Sequence, residues 1–344
     1  GDVYSVDVLR AIYDAPISNH PFTGLPIPVR VTYEIETAGP HGKLQVPADA
    51  VMWNAAQDRW TPVGGGVEAT SKVTYDYSGY FDSRWHHGEP ITMADVVYQI
   101  AQNFELAYDP DKVRIETALG VTARPFLETF KGFRFVDDRR VEVYVDFWHF
   151  EEGYIASYAV PASLMMPWEL LFAMDDLVFA QRRAAYSDTA AARFNVTWLS
   201  LVMERDAQLV DRTLNQFRLR RVMPERVFQV GGRSIVQWEE AQRRYQAAQD
   251  WFDRYGHLAI SNGAFYLAVF DPPAQFAEVR AFRDASYPFS AGRWRFGDVP
   301  PLGIENVRAE TVVGGEDARV TAEVVGPGNL GLRYLLIDPA VGEI

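Results

Sequence analysis

An adjacent histidine pair, His86-His87, and four adjacent acid pairs, Asp137-Asp138, Glu151-Glu152, Asp175-Asp176 and Glu239-Glu240, are where this chain could most readily do chemistry. Neighbouring histidines point different ways in most backbones, and chelation from one helix face needs i,i+4 spacing. A structural or solvated role is therefore expected for them. His149 with Glu151 and Glu152 makes a richer polar cluster, again without metal-ligand spacing. A glycosidase would need two carboxylates roughly 5–10 Å apart across a sugar cleft. Paired acids more often mark turns or wet helix faces, although 14% aromatic residues would suit sugar stacking. A carboxylate-dependent glycoside hydrolase or a carbohydrate-binding protein thus stands as the alternative reading. No Gly-x-Ser-x-Gly elbow is present for a serine nucleophile. The absence of cysteine removes thiol chemistry, disulfides and Cys-ligated metal. Gly326-Pro-Gly-Asn-Leu-Gly331 fits a dinucleotide pattern, but strand-like sequence on both sides makes it a hairpin turn. Asn195-Val-Thr197 is a glycosylation sequon only in a secreted eukaryotic protein. No catalytic residue, metal site or cofactor is assigned.

The elements that must position these residues follow from periodicity. Trp85 to Tyr98 reads as a tight turn and a capped amphipathic helix. Gly88 supplies the turn, Pro90 holds Ile91 extended, and Thr92 is the N-cap answered by Asp95. Met93, Val96, Val97, Ile100 and Phe104 form one apolar stripe. A short helix is expected over Val3–Tyr13, strands over Val29–Ile35 and Lys72–Tyr77, and helix around Arg114–Phe130. Phe133 to Val145 reads as a hairpin turning at Asp137-Asp138. A helical block follows over Trp168–Tyr186, Leu199–Leu219 and Gln237–Tyr255. In the last of these, Trp238, Ala241, Tyr245, Ala248 and Trp251 are expected to face a core rather than a ligand. Strands return at Ala264–Phe270 and Glu278–Arg283. The tail reads as three more, Val307–Val313, Arg319–Val325 and Gly331–Ile337.

With 344 residues the chain is expected to form more than one domain, and 48% hydrophobic residues can fill substantial cores. A net charge of −13 argues against nucleic acid or an anionic membrane surface as partner. No run of apolar residues is long enough to span a membrane. No signal peptide is expected within these residues, and Gly1 is expected to begin a mature fragment.

The wording of Trp85-His-His-Gly-Glu-Pro-Ile-Thr-Met-Ala-Asp-Val-Val-Tyr98 resembles a hallmark of the extracytoplasmic solute-binding proteins of the peptide/nickel type that serve ABC transporters. Ile260-Ser-Asn-Gly-Ala-Phe-Tyr-Leu267 is similar to the family's Gly-aromatic strand. Ala277 to Tyr287 is similar to its Arg-Asn-x-x-Tyr stretch, with Asp284 where asparagine is usual. The hairpin Phe133–Val145, then Tyr158-Ala-Val-Pro161 and Pro167-Trp168, falls in the family's order. The resemblance runs from about Tyr4 to Tyr287. It departs where a third, cleft-completing domain would follow, since a β-rich tail stands there instead. That domain is expected either upstream of Gly1 or missing from a reduced relative.

The resemblance implies a mixed α/β fold of periplasmic-binding-protein-like lobes, with twisted mixed sheets flanked by helices and a small C-terminal β-rich segment. The lobes are expected at 1–131 and 132–290, with the extension at 291–344. It implies capture of an oligopeptide or similar extended solute without turnover, by a monomer outside the cytoplasm that is tethered to the membrane and partnered by an ABC permease. Asn262, Gly263 and Phe265 would lie on the strand lining the cleft, Phe265 at the aromatic position, with Tyr158 and Trp148 on the opposite wall. Phe265 could instead be a core aromatic and Gly263 a bulge or close-approach position. Trp85 and His86 are expected to be structural.

Overall fold

A computed structural model describes residues 10–298, 301–310, 317, 319–326, 330–332, 335 and 337. The chain divides into two compact units, one of residues 1–20 and 25–289, the other of 21–24 and 290–344. The fold is mixed α/β.

In the first unit a six-stranded sheet takes β1 (Thr32–Thr37), β2 (Val51–Asn54), β3 (Arg59–Pro62), β4 (Ser71–Asp76), β5 (Phe130–Phe135) and β6 (Arg140–Val145), in the order β1-β4-β6-β5-β2-β3. Every pairing in it is antiparallel. Alternation explains its register: Val73 and Tyr75 on β4 are fully buried while Lys72, Thr74 and Asp76 are only partly covered. The expected hairpin is present, and Asp137 closes it by accepting from the backbone N–H groups of Arg139 and Arg140 at 2.9 and 2.8 Å. The lobe boundary expected at 131/132 falls inside β5, and segments on both sides of it supply strands to this one sheet.

Helix α1 (Met93–Tyr108) starts where the capping signals place it, with the Thr92 N–H donating to Asp95 Oδ2 at 2.9 Å. Gly88 takes φ +94° in the turn before it, and Trp85 is fully buried. The helix expected around 114–130 is two: α2 (Pro110–Ile115) and α3 (Thr117–Leu127). Glu116 breaks them apart, turning its buried carboxylate to Ser187 Oγ at 2.6 Å. Helix α4 (Trp168–Asp175) ends early in a π-helical turn, Asp176–Ala180. Helices α5 (Glu204–Arg220) and α6 (Trp238–Tyr255) pack on each other. The α6 stripe buries Ala241, Tyr245, Ala248 and Trp251, as its spacing predicts. A two-stranded antiparallel hairpin, β7 (Phe265–Asp271) with β8 (Phe276–Ala281), closes the unit.

Within the second unit β9 (Gly303–Ala309) pairs with β10 (Val320–Val325) antiparallel. The expected third tail strand, the turn at 327–329 and the start of the Val3–Tyr13 helix fall wholly or partly outside the described residues; residues 10–12 are helical. No helix among the described residues is long and apolar enough to cross a membrane.

Candidate functional site

The three segments that carry the family resemblance meet at one place. The His86 N–H donates to Ser261 O at 2.9 Å, and Ser261 N–H returns a bond to His86 Nδ1 at 3.3 Å. His86 Nε2 lies 3.0 Å from Gly263 O. A carbonyl can only accept and an amide can only donate, so this geometry fixes the neutral tautomer with its proton on Nε2. The third segment packs its Phe282 ring against His86 at 5.0 Å.

Behind this contact lies a second anchor that the sequence did not announce. Arg30, fully buried, donates to Asp14 Oδ2 at 2.8 Å, Gly79 O at 2.9 Å and Asn262 O at 3.2 Å, and also bonds Ser83 Oγ. Tyr287 OH reaches the same Asp14 carboxylate at 3.0 Å. Asn262 is 1% exposed, and both ends of its amide hold backbone, accepting from Asp14 N–H at 3.0 Å and donating to Leu164 O at 2.6 Å. Gly263 N–H donates to Ile12 O at 2.9 Å. Asn262 and Gly263 therefore form the mount from which β7 departs.

Phe265 opens β7 and is 40% exposed, which excludes the core-aromatic alternative. Side chains alternate along a strand, so the next residue, Tyr266, turns to the other face. There it lines a cavity of about 480 Å³ with His86, His87, Trp251, Tyr255 and Phe282. Trp251 and Tyr255 lie edge-on to Tyr266 at 5.7 and 5.6 Å. Asp250, Arg254, Arg283 and Asp284 complete the lining, two acids and two guanidiniums. Trp251 Nε1 and His87 Nδ1 are buried without hydrogen-bond partners. Tyr158 and Trp148 do not line this cavity. Tyr158 stacks on Phe147 at 3.9 Å, while Trp148 packs on the core, and no ring contact or hydrogen bond among the described residues links either to Phe265. The sequence reading named neither Tyr266 nor α6 as lining of this cavity. The available signal was the aromatic i,i+4 pair Trp251/Tyr255, which reads equally well as core.

Beside the cavity His87 Nε2 lies 2.7 Å from Glu169 Oε1 in a fully buried ionic cluster. Arg244 donates to Glu169 Oε2 at 2.7 Å, Asp95 Oδ1 at 2.6 Å and Pro90 O at 2.9 Å. Burial pushes the Glu169 carboxyl up, but Arg244 and His87 overcome it and hold the group at about 2. For Asp95 burial prevails over Arg244 and its pKa is raised. The His-His pair is therefore structural, with His86 holding β7 and His87 holding α4.

His86 and His257 are pushed down by burial from 6.5 to about 4. Their folded pKa values lie below the unfolded ones, so neutral burial stabilises fully above pH 6.5 and less as pH falls towards 4. Glu169 adds a contribution present above pH 4.5 and lost towards pH 2. Asp14, Asp95, Glu105, Asp175, Asp211 and Glu240, raised by burial, act with the opposite sign and offset part of the loss. The expected net result is a urea midpoint that falls between pH 6.5 and 4. A midpoint flat over that range would contradict the assignment of neutral buried imidazoles.

No family model matches the chain, and no curated protein matches it. Solved structures similar to it include the oligopeptide-binding protein from Thermus thermophilus complexed with pentapeptide, at 16% identity and TM-score 0.38, over 84% of this chain and 34% of that one. The substrate-binding domain of the oligopeptide ABC transporter from Bacillus anthracis str. Ames is similar at 15% identity and TM-score 0.24, over 48% and 26%. Listeria monocytogenes OppA bound to peptide is similar at 10% identity and TM-score 0.26, over 50% and 28%. This chain spans about a third of the length of the first of these.

Proposed function

We propose that this chain binds a peptide or similar extended solute and releases it chemically unaltered, as the extracytoplasmic substrate-binding component of an ABC importer. The observation that supports it is the junction itself. The segment 85–98, far away in sequence, bonds to 260–267 and packs against 277–287, so that three segments resembling one family's hallmarks border an aromatic cavity. A cavity of about 480 Å³ fits a small ligand or one residue of a longer one. Its paired acids and guanidiniums suit a zwitterionic solute better than a simple ion. Hairpin β7–β8 is two-stranded, so its outer edges can offer main-chain hydrogen bonds to an extended chain whatever its side chains. Binding shifts the population towards a closed form, which docks on a membrane permease. Asn262 and Gly263 position the strand, Tyr266 contacts the solute, and Phe265 contributes from the opposite face.

The test is affinity for short peptides. Tyr266→Ala is expected to weaken binding about tenfold, in the range of an interface aromatic. Phe265→Ala is expected to lose less, with stability held within about 0.5 kcal/mol because the ring is exposed. Unchanged affinity in Tyr266→Ala would overturn the cavity as the site. Unchanged affinity in Phe265→Ala alone would remove only Phe265.

A further inference from the structure

A separate cavity of about 480 Å³ is bounded by α1, α2, the end of α4, the π-helical turn and the loop 223–227. Trp53, Tyr98, Phe172 and Phe179 supply aromatic walls, and five carboxylates line it against two cations, Lys112 and Arg226. Most of those charges are answered locally. Lys112 pairs with Glu105 at 3.1 Å, Arg226 with Asp58 at 3.2 Å, and Gln181 holds Asp176 at 2.7 Å.

Asp175 is different. It is 8% exposed, and its hydrogen-bond donors are all neutral: Tyr186 OH at 2.6 Å, Tyr98 OH at 2.7 Å and Gln102 Nε2 at 2.9 and 3.0 Å. No cation lies within ion-pair distance of it among the described residues, and Lys112 acts on it only through space. Burial pushes its carboxyl up, with the charge of Lys112 the largest effect opposing it. The α-helix carrying it gives way directly afterwards to the π-helical turn Asp176–Ala180, which brings Phe179 to the cavity. Such turns interrupt good helical hydrogen bonding and recur at functional sites.

We infer that this cavity binds a small organic cation, a primary ammonium or guanidinium on a short apolar or aromatic stem, with Asp175 as its counter-charge. The aromatic walls favour a cation desolvated among rings and cover the stem. No group of three or more His, Asp or Glu among the described residues could hold a metal ion. The site goes beyond the solute-binding proposal and shares none of its lining with the junction cavity, so either can fail alone.

Calorimetric titration with phenethylamine, phenethyl alcohol and phenylacetate tests the inference on the intact chain. Phenethylamine, cationic at neutral pH, should bind saturably, while the neutral alcohol and the anion should not. Asp175→Asn preserves shape and should weaken binding about tenfold or more. Phe179→Ala trims a wall without touching the acid and should weaken it severalfold; it decides the matter if Asp175→Asn fails to fold. Equal binding of the alcohol, absence of phenethylamine binding, or full affinity in the folded variants would overturn the inference.

Discussion

Replacing Arg244 by methionine is expected to cost about 3–5 kcal/mol of folding stability. The guanidinium is fully buried and answers two buried carboxylates, Asp95 and Glu169, while also capping the Pro90 carbonyl. Methionine fills much of the volume but leaves Asp95 without its ion-pair partner and Glu169 with His87 alone, both buried, which is where the cost arises. The same reasoning predicts non-additivity: adding Asp95→Asn and Glu169→Gln to Arg244→Met should recover part of the loss, because three coupled groups then become neutral together. Urea denaturation checks both statements. A single-variant cost below about 1 kcal/mol, the range of exposed pairs, would mean that the cluster is hydrated and not buried.

Gly263→Ala comes next, at roughly 3 kcal/mol, the upper end for overpacking. A Cβ built there would lie 2.5 Å from Ile12 C and 2.6 Å from Tyr13 N. Those are backbone atoms of a segment pinned by Gly263's own N–H, so no side chain can swing aside. The clash would push Ile12–Asp14 away and disturb the Arg30–Asp14–Tyr287 anchor behind β7. Solute affinity should therefore fall together with stability, whereas Tyr266→Ala should lower affinity with the anchor intact. A Gly263→Ala protein of normal stability would show that the segments approach less closely than described.

Local signals proved legible where one residue's conformation decides the outcome. The Gly88 turn, the Asp95 cap and the stripe of α1 follow from backbone sterics and helical spacing. The hairpin closed by Asp137 and the buried face of α6 follow in the same way. What the sequence could not show is pairing at long range. Arg30 and Arg244 look like surface arginines until Asp14, Asp95 and Glu169 are brought to them. Asp175-Asp176 was expected to mark a turn or a wet helix face. Instead α4 carries Asp175 into the core, where two tyrosines and a glutamine stabilise it, and a π-helical turn follows. The candidate site was legible only in part. Asn262, Gly263 and Phe265 lie at the departure of β7, while the cavity beside it is lined by Tyr266 and by Trp251 and Tyr255 of α6, which only long-range packing brings there.

The central claim is capture without chemistry, and thermal unfolding in the presence of short peptides, with mass spectrometry of the recovered peptide, tests it most directly. The account predicts a melting temperature that rises with peptide concentration, as ligand linkage requires, and peptide recovered at its original mass. No shift at any concentration, or peptide returned cleaved or modified, would contradict it.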